Sequence, residues 1–82
     1  MPLWFSPPVY VRTARTGIRY GVNNIEGAAE ELVTWTKCGP KWRHAVEACL
    51  EGLRGRVSPD EVRSAFEEAA KEEGKFLPPV EA

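Results

Sequence analysis

Eighty-two residues, 43% hydrophobic and 28% charged, suffice for one small domain over 1–82. A core that small leaves no room for a deep cavity, so any site is expected on the surface, in a groove or between subunits. Eleven Lys/Arg against twelve Asp/Glu give a net charge of −1, which argues against a general affinity for nucleic acid or for anionic membranes.

The opening stretch, Met1-Pro2-Leu3-Trp4-Phe5-Ser6-Pro7-Pro8, has neither the basic start nor the long apolar run of a secretory signal. It reads as an extended segment over 1–7, with Trp4 and Phe5 covering an edge of the core. Pro8-Val9-Tyr10-Val11-Arg12 and Ile18-Arg19-Tyr20-Gly21-Val22 alternate apolar with mixed residues and are rich in β-branched and aromatic types. Thr13-Ala14-Arg15-Thr16-Gly17 between them has the length and the glycine of a hairpin loop, so 8–22 reads as a β-hairpin. Val9 and Val11 share one face of the first strand; Ile18, Tyr20 and Val22 share one face of the second. Arg12 and Arg19 point away from the core.

Asn23-Asn24-Ile25-Glu26 reads as a capping box, Asn23 capping and Glu26 reaching back. A helix over 24–36 follows, with Ile25, Ala28, Leu32 and Trp35 at helical spacing. Gly39 breaks it, and Pro40 suits the first position of a second helix over 40–54. That helix carries the cleanest apolar stripe, Trp42, Ala45, Val46, Cys49, Leu50 and Leu53, and Gly55 ends it in the left-handed conformation. Ser58-Pro59-Asp60-Glu61 opens a third helix over 59–73 with the stripe Val62, Ala65, Phe66, Ala69 and Ala70, ended by Gly74. Residues 75–82 form a Pro-containing tail anchored by Phe76 and Leu77. The expected fold is α+β: an N-terminal two-stranded antiparallel hairpin followed by three helices packed on one of its faces, because a lone hairpin is marginal without such cover.

Reactive atoms concentrate in Lys37 to Gly55. Cys49 lies in the middle of the apolar arc and is expected to be a core thiol with a raised pKa, while His44 falls on the opposite, solvated side. Cys38 precedes a helix start beside Lys37 and Lys41, where positive charge and the helix dipole both favour a thiolate, so it is the candidate reactive thiol. It has no resolving partner. Pro40 to Cys49 spans about 13 Å of helix, whereas a disulfide needs Cα atoms within about 7 Å. One histidine and two separated cysteines do not supply the three or four ligands zinc takes. No G-x-S-x-G, phosphate-cradling G-x-x-x-x-G-K-[ST] or H-E-x-x-H is present. The expectation is a non-enzyme with no catalytic residue, no cofactor and no metal.

The strand "PVYVRT", the helix opening "VNNIEGAAEEL", the tryptophan closing that helix, "GPKWRHAVEACLEGLRG" and "SPDEVRSAFEEAAKEEG" together resemble a family of small bacterial proteins catalogued as domain of unknown function 982, typical of rhizobia and related alphaproteobacteria. The resemblance covers about residues 3–76. Its most specific part is the spacing of Gly39, Trp42, Ala45, Cys49, Leu50, Leu53 and Gly55. The family often has Trp-Pro after the first helix, where this chain has Trp35-Thr36. The resemblance implies the fold class and carries no activity, ligand or site residue.

Two functional readings follow. The first is a small cytoplasmic interaction or regulatory module with an unknown protein partner. No run of about 18 apolar residues exists to span a membrane, two cysteines make no disulfide framework, and reduced thiols fit the cytoplasm. Its hairpin edges offer a route to a homodimer or to a partner's sheet. The second, less favoured, is nucleic-acid binding through Arg12, Arg15 and Arg19 on the hairpin, with Tyr10 and Tyr20 near them, and Lys37, Lys41 and Arg43 at the start of the second helix. Charge is uneven along the chain. Residues 1–45 hold six Lys/Arg and three Glu, about +3, and residues 46–82 hold five Lys/Arg and nine Asp/Glu, about −4. Mutual neutralisation within one fold is the favoured reading of that asymmetry.

Overall fold

The structure, a computed structural model, describes residues 4–12, 19–35 and 37–77. In chain order these form β1 (Trp4–Arg12), β2 (Arg19–Asn24), α1 (Ile25–Leu32), α2 (Pro40–Leu53), α3 (Pro59–Glu73) and β3 (Phe76–Leu77). The α+β class and the three helices are as expected, and α3 has the expected bounds. The hairpin loop, with Arg15 and Ile18, lies outside the described residues.

The sheet differs from the expected two-stranded hairpin. Among the described residues it has three antiparallel strands in the order β2-β1-β3, because part of the expected tail returns to the sheet. Phe76 pairs with Val11 and Leu77 with Tyr10. The Arg12 N–H donates to the Lys75 carbonyl at 2.8 Å. This satisfies backbone groups on β1 that a bare hairpin would leave to solvent. β1 is therefore the central strand. It also starts earlier than expected, at Trp4, which pairs with Asn24; the register then shifts before Val9 meets Val22. The prolines Pro7 and Pro8 lie in that irregularity, where a missing N–H is tolerated. The Pro7 carbonyl accepts the Arg63 Nε–H at 2.7 Å, tying β1 to α3.

Alternation places Val9, Val11 and Val22 on the buried face with Phe5, against Ile25, Ala28 and Leu32 of α1 and Val62, Phe66, Ala69 and Ala70 of α3. Arg12 points outward as expected; only the backbone of Arg19 is described, paired with Arg12. On the outer face the Tyr10 ring lies across Gly21, where a Cβ would come within 2.9 Å of the ring. α1 and α3 pack on the strands, and α2 packs chiefly on α3 and α1.

α1 begins and ends inside its expected bounds. Asn24, not Asn23, is the cap: its side-chain oxygen accepts the Gly27 N–H at 2.6 Å, and its amide donates to Asn23 Oδ1 at 3.0 Å. With the cap there, the third helical position is Gly27, which has no side chain to reach back, and Glu26 is exposed. The helix stops at Leu32 because Val33 and Thr34 are weak helix formers and competing bonds take its last carbonyls. The Thr34 hydroxyl donates to the Glu31 carbonyl at 2.7 Å. The Trp42 indole N–H donates to the Leu32 carbonyl, also at 2.7 Å. Trp35 lies beyond the helix yet is buried, stacked on Phe66 with ring centroids 5.4 Å apart.

α2 ends one residue short of its expected bound. Gly55, at φ +76°, closes it. The Arg56 N–H donates to the Glu51 carbonyl at 2.8 Å and the Gly55 N–H to the Gly52 carbonyl at 3.0 Å, the paired bonds of a Schellman motif.

The outward stripe of α2 and the groove at its start

The apolar face of α2 is turned from its expected position. Ala45, Cys49 and Gly52 are buried, Trp42, Val46 and Ala48 are half-buried, and Leu50 and Leu53 are 49% and 42% exposed. Size, more than hydrophobicity, decides the orientation. At Gly52 a Cβ would lie 2.7 Å from Val62 Cγ2 and 2.9 Å from Ile25 Cδ1, so α2 is seated on its neighbours through a glycine and an alanine at a separation no leucine fits. At about 100° per residue, Val46, Leu50 and Leu53 fall within an arc of roughly 60°. That arc borders the core face and looks outward. Val33, 75% exposed, follows the Leu32 carbonyl on which Trp42 is anchored, so a further apolar side chain stands beside the α1–α2 corner.

The start of α2 is held by the end of α3. Gly39 caps α2 with no side-chain hydrogen bond of its own. Instead the Lys41 N–H donates to Glu72 Oε1 at 3.2 Å, and a side chain at Gly39 would overlap that carboxylate. One step earlier the Cys38 N–H donates to Glu73 Oε2 at 3.0 Å. Glu73 is the one buried charged residue among those described. Its carboxylate fixes Cys38 in the left-handed region, at φ +50°, unusual for a residue with a side chain.

Cys38 is exposed, as a reactive thiol requires. It lines an open groove of about 420 Å³ with Gly39, Pro40, Arg43, His44 and Glu47. Its thiol donates to the Trp35 carbonyl at 3.7 Å, and among the described residues no base is hydrogen-bonded to it. His44 is exposed and also borders a second groove of about 470 Å³, shared with Lys41, Asp60, Glu61, Ser64 and Glu68. Cys49 is the buried thiol, its pKa pushed up to about 11 by burial. Among the described residues no group of three or more His, Cys, Asp or Glu is placed to hold a metal ion. No helix among them is long and apolar enough to cross a membrane.

The basic candidates are brought together in part. The Arg12 backbone is bonded to Lys75, Lys37 precedes the Cys38 bonded to Glu73, and Lys41 is itself bonded through its N–H to Glu72, so the backbones of all three lie near the C-terminal end of α3. Arg43 faces the first groove. Arg15 lies outside the described residues. Sequence reading missed Glu72 and Glu73, whose spacing on α3 carries no sign of the contact they make with the start of α2. It also missed the exposure of Leu50 and Leu53. The glycine at 52, spaced seven from Ala45, was the signal for a close helix contact.

The residues described form a three-helix, three-strand α+β domain with an apolar helix stripe facing outward. The profile of the family described as Protein of unknown function (DUF982) matches residues 7–76, from β1 through all three helices into β3, and the chain belongs to that family. No curated protein and no solved structure matches it.

Proposed function

We propose that the protein is a small non-enzymatic interaction module of the cytoplasm, and that its contact surface is the outward stripe of α2, Val46, Leu50 and Leu53. The observation that carries this reading is the half-exposure of two leucines one turn apart on a helix that buries alanine, cysteine and glycine instead. Leaving each side chain about half in water forgoes roughly half of the about 1.5–3 kcal/mol that full burial gives. Apolar patches rimmed by charge are the usual mark of a docking surface. Arg43, Glu47, Glu51 and Arg54 supply that rim along one flank. The test is a photo-crosslinking amino acid placed at position 50 and, in a second variant, at Ser64, which is exposed on α3. Protein adducts are expected from position 50 and not from 64. Adducts from 64 alone would reject the stripe as the contact surface.

Nucleic-acid binding is the alternative, favoured by the gathering of Arg12, Lys37 and Lys41 near one end of α3. What weighs against it is the occupancy of the backbone donors. The N–H groups a phosphate would seek at the start of α2 already serve the Glu72 and Glu73 carboxylates.

A further inference from the structure

We propose that the partner seated on the α2 stripe is a second copy of this chain, its α2 antiparallel to the first, with Leu50 of each copy opposite Leu53 of the other. The proposal rests on the interaction reading above and adds the identity of the partner.

Three observations point to this occupant. The first is spacing. Val46, Leu50 and Leu53 are separated by four and three residues, the step of a seam between two paired helices. Within one copy Leu50 and Leu53 stay about half in water, since α2 meets its own core through Ala45, Cys49 and Gly52, with Val46 packed partly against it.

The second is charge. Glu47 and Arg54 each follow a seam residue by one position and lie two turns apart on the same flank. A two-fold interface must be self-complementary: residue i meets residue j, and j meets i. Setting Leu50 against Leu53 of the second copy brings Glu47 of each copy alongside Arg54 of the other, giving two symmetric ion pairs. A parallel arrangement would put the two charged flanks on opposite sides of the seam, and Glu47 and Arg54 would then have no partner across it. Glu47 is exposed and has no ion pair among the described residues; Arg54 is 61% exposed, with Glu51 3.5 Å away.

The third is the composition of the seam's other flank. On α2 it is formed by Ala45, Cys49 and Gly52, buried in each copy's own core, so the helix itself carries no charge on that side. The sheet edge at β3 is a weaker route to a dimer. β1 is central, and the strand added beside it is only two residues long.

The experiment is sedimentation equilibrium of the full chain over a concentration series, with four variants. The unaltered chain is expected to pass from monomer to dimer. Leu50→Glu with Leu53→Glu is expected to stay monomeric with an unchanged circular dichroism spectrum, since both side chains are already half in water. Glu47→Arg alone and Arg54→Glu alone are each expected to weaken the dimer about three- to tenfold, because each reversal acts at two symmetric pairs worth under about 1 kcal/mol apiece. Combining the two reversals is expected to restore it. A monomer at every concentration would overturn the second copy as partner. If position 50 still crosslinks to another protein in that case, the interaction reading survives. A dimer unaffected by the leucine changes, or one the combined reversal does not restore, overturns the antiparallel α2 pairing.

Discussion

Cys38 and Cys49 carry the same functional group in opposite surroundings. Cys49 is 2% exposed against Ala45, Phe66 and their neighbours in the core, and burial raises its thiol pKa from 9.0 to about 11. Cys38 is exposed. At pH 8 a thiol-labelling reagent is therefore expected to modify Cys38 rapidly and Cys49 only as fast as the fold opens. The same shift sets a pH dependence. Because the folded-state pKa lies above the unfolded one, the folded chain holds the proton that the unfolded chain releases. The neutral thiol's contribution to stability is thus complete below about pH 9 and is lost as pH rises towards 11, by about 2–3 kcal/mol at the limit. Urea unfolding at pH 8 and pH 10.5 checks this. The unaltered chain is expected to lose more stability over that interval than Cys49→Ala, whose cavity penalty does not depend on pH. Equal losses in both would place the titrating group elsewhere.

At the scale of elements, the orientation of α2 follows from which of its residues are small. Val62 is β-branched and stiff within α3, so it has little freedom to retreat from a new methyl group. Gly52→Ala is expected to destabilise the fold by about 1–2 kcal/mol net, overpacking outweighing the gain in helix propensity. Thermal unfolding measures it, and an increase in stability would mean that α2 is not seated through Gly52. The same helix shows what was legible in the sequence. Apolar periodicity marked all three helices, Pro40 and Pro59 marked two starts, and Gly55 and Gly74, both left-handed here, marked two ends. Periodicity could not say which part of a broad apolar arc turns inward, because that depends on the volume available at the contact. It also could not show that two residues after Gly74 rejoin the sheet. A strand of that length carries no alternation, and its partner, Tyr10-Val11, lies more than sixty residues away. Trp35 illustrates a third limit: helical spacing placed it correctly in the core, although the helix had ended before it.

At the scale of the molecule, the opposing charges of the two halves meet through the backbone more than through ion pairs. All four ion pairs among the described residues lie within the acidic half, Arg54 and Arg56 with Glu51, and Arg63 and Lys71 with Glu67. Acidic side chains link the halves through Glu72 and Glu73, which accept N–H groups of Lys41 and Cys38. Carboxylates at the C-terminal end of α3 oppose that helix's own dipole, yet they complement the positive start of α2, which lacks a side-chain cap of its own. Glu72→Ala with Glu73→Ala is therefore expected to lower stability by about 0.5–2 kcal/mol in urea unfolding, since it removes the carboxylates that cap the start of α2. If these two side chains instead served as an electrostatic guard over a nucleic-acid site, the double variant would bind a single-stranded oligonucleotide at low salt far more tightly than the unaltered chain. The capping role requires the stability loss and no oligonucleotide binding by the unaltered chain. Tight binding by the unaltered chain, weakening steeply as salt is added, would show that Arg12, Lys37 and Lys41 grip phosphate despite the carboxylates beside them.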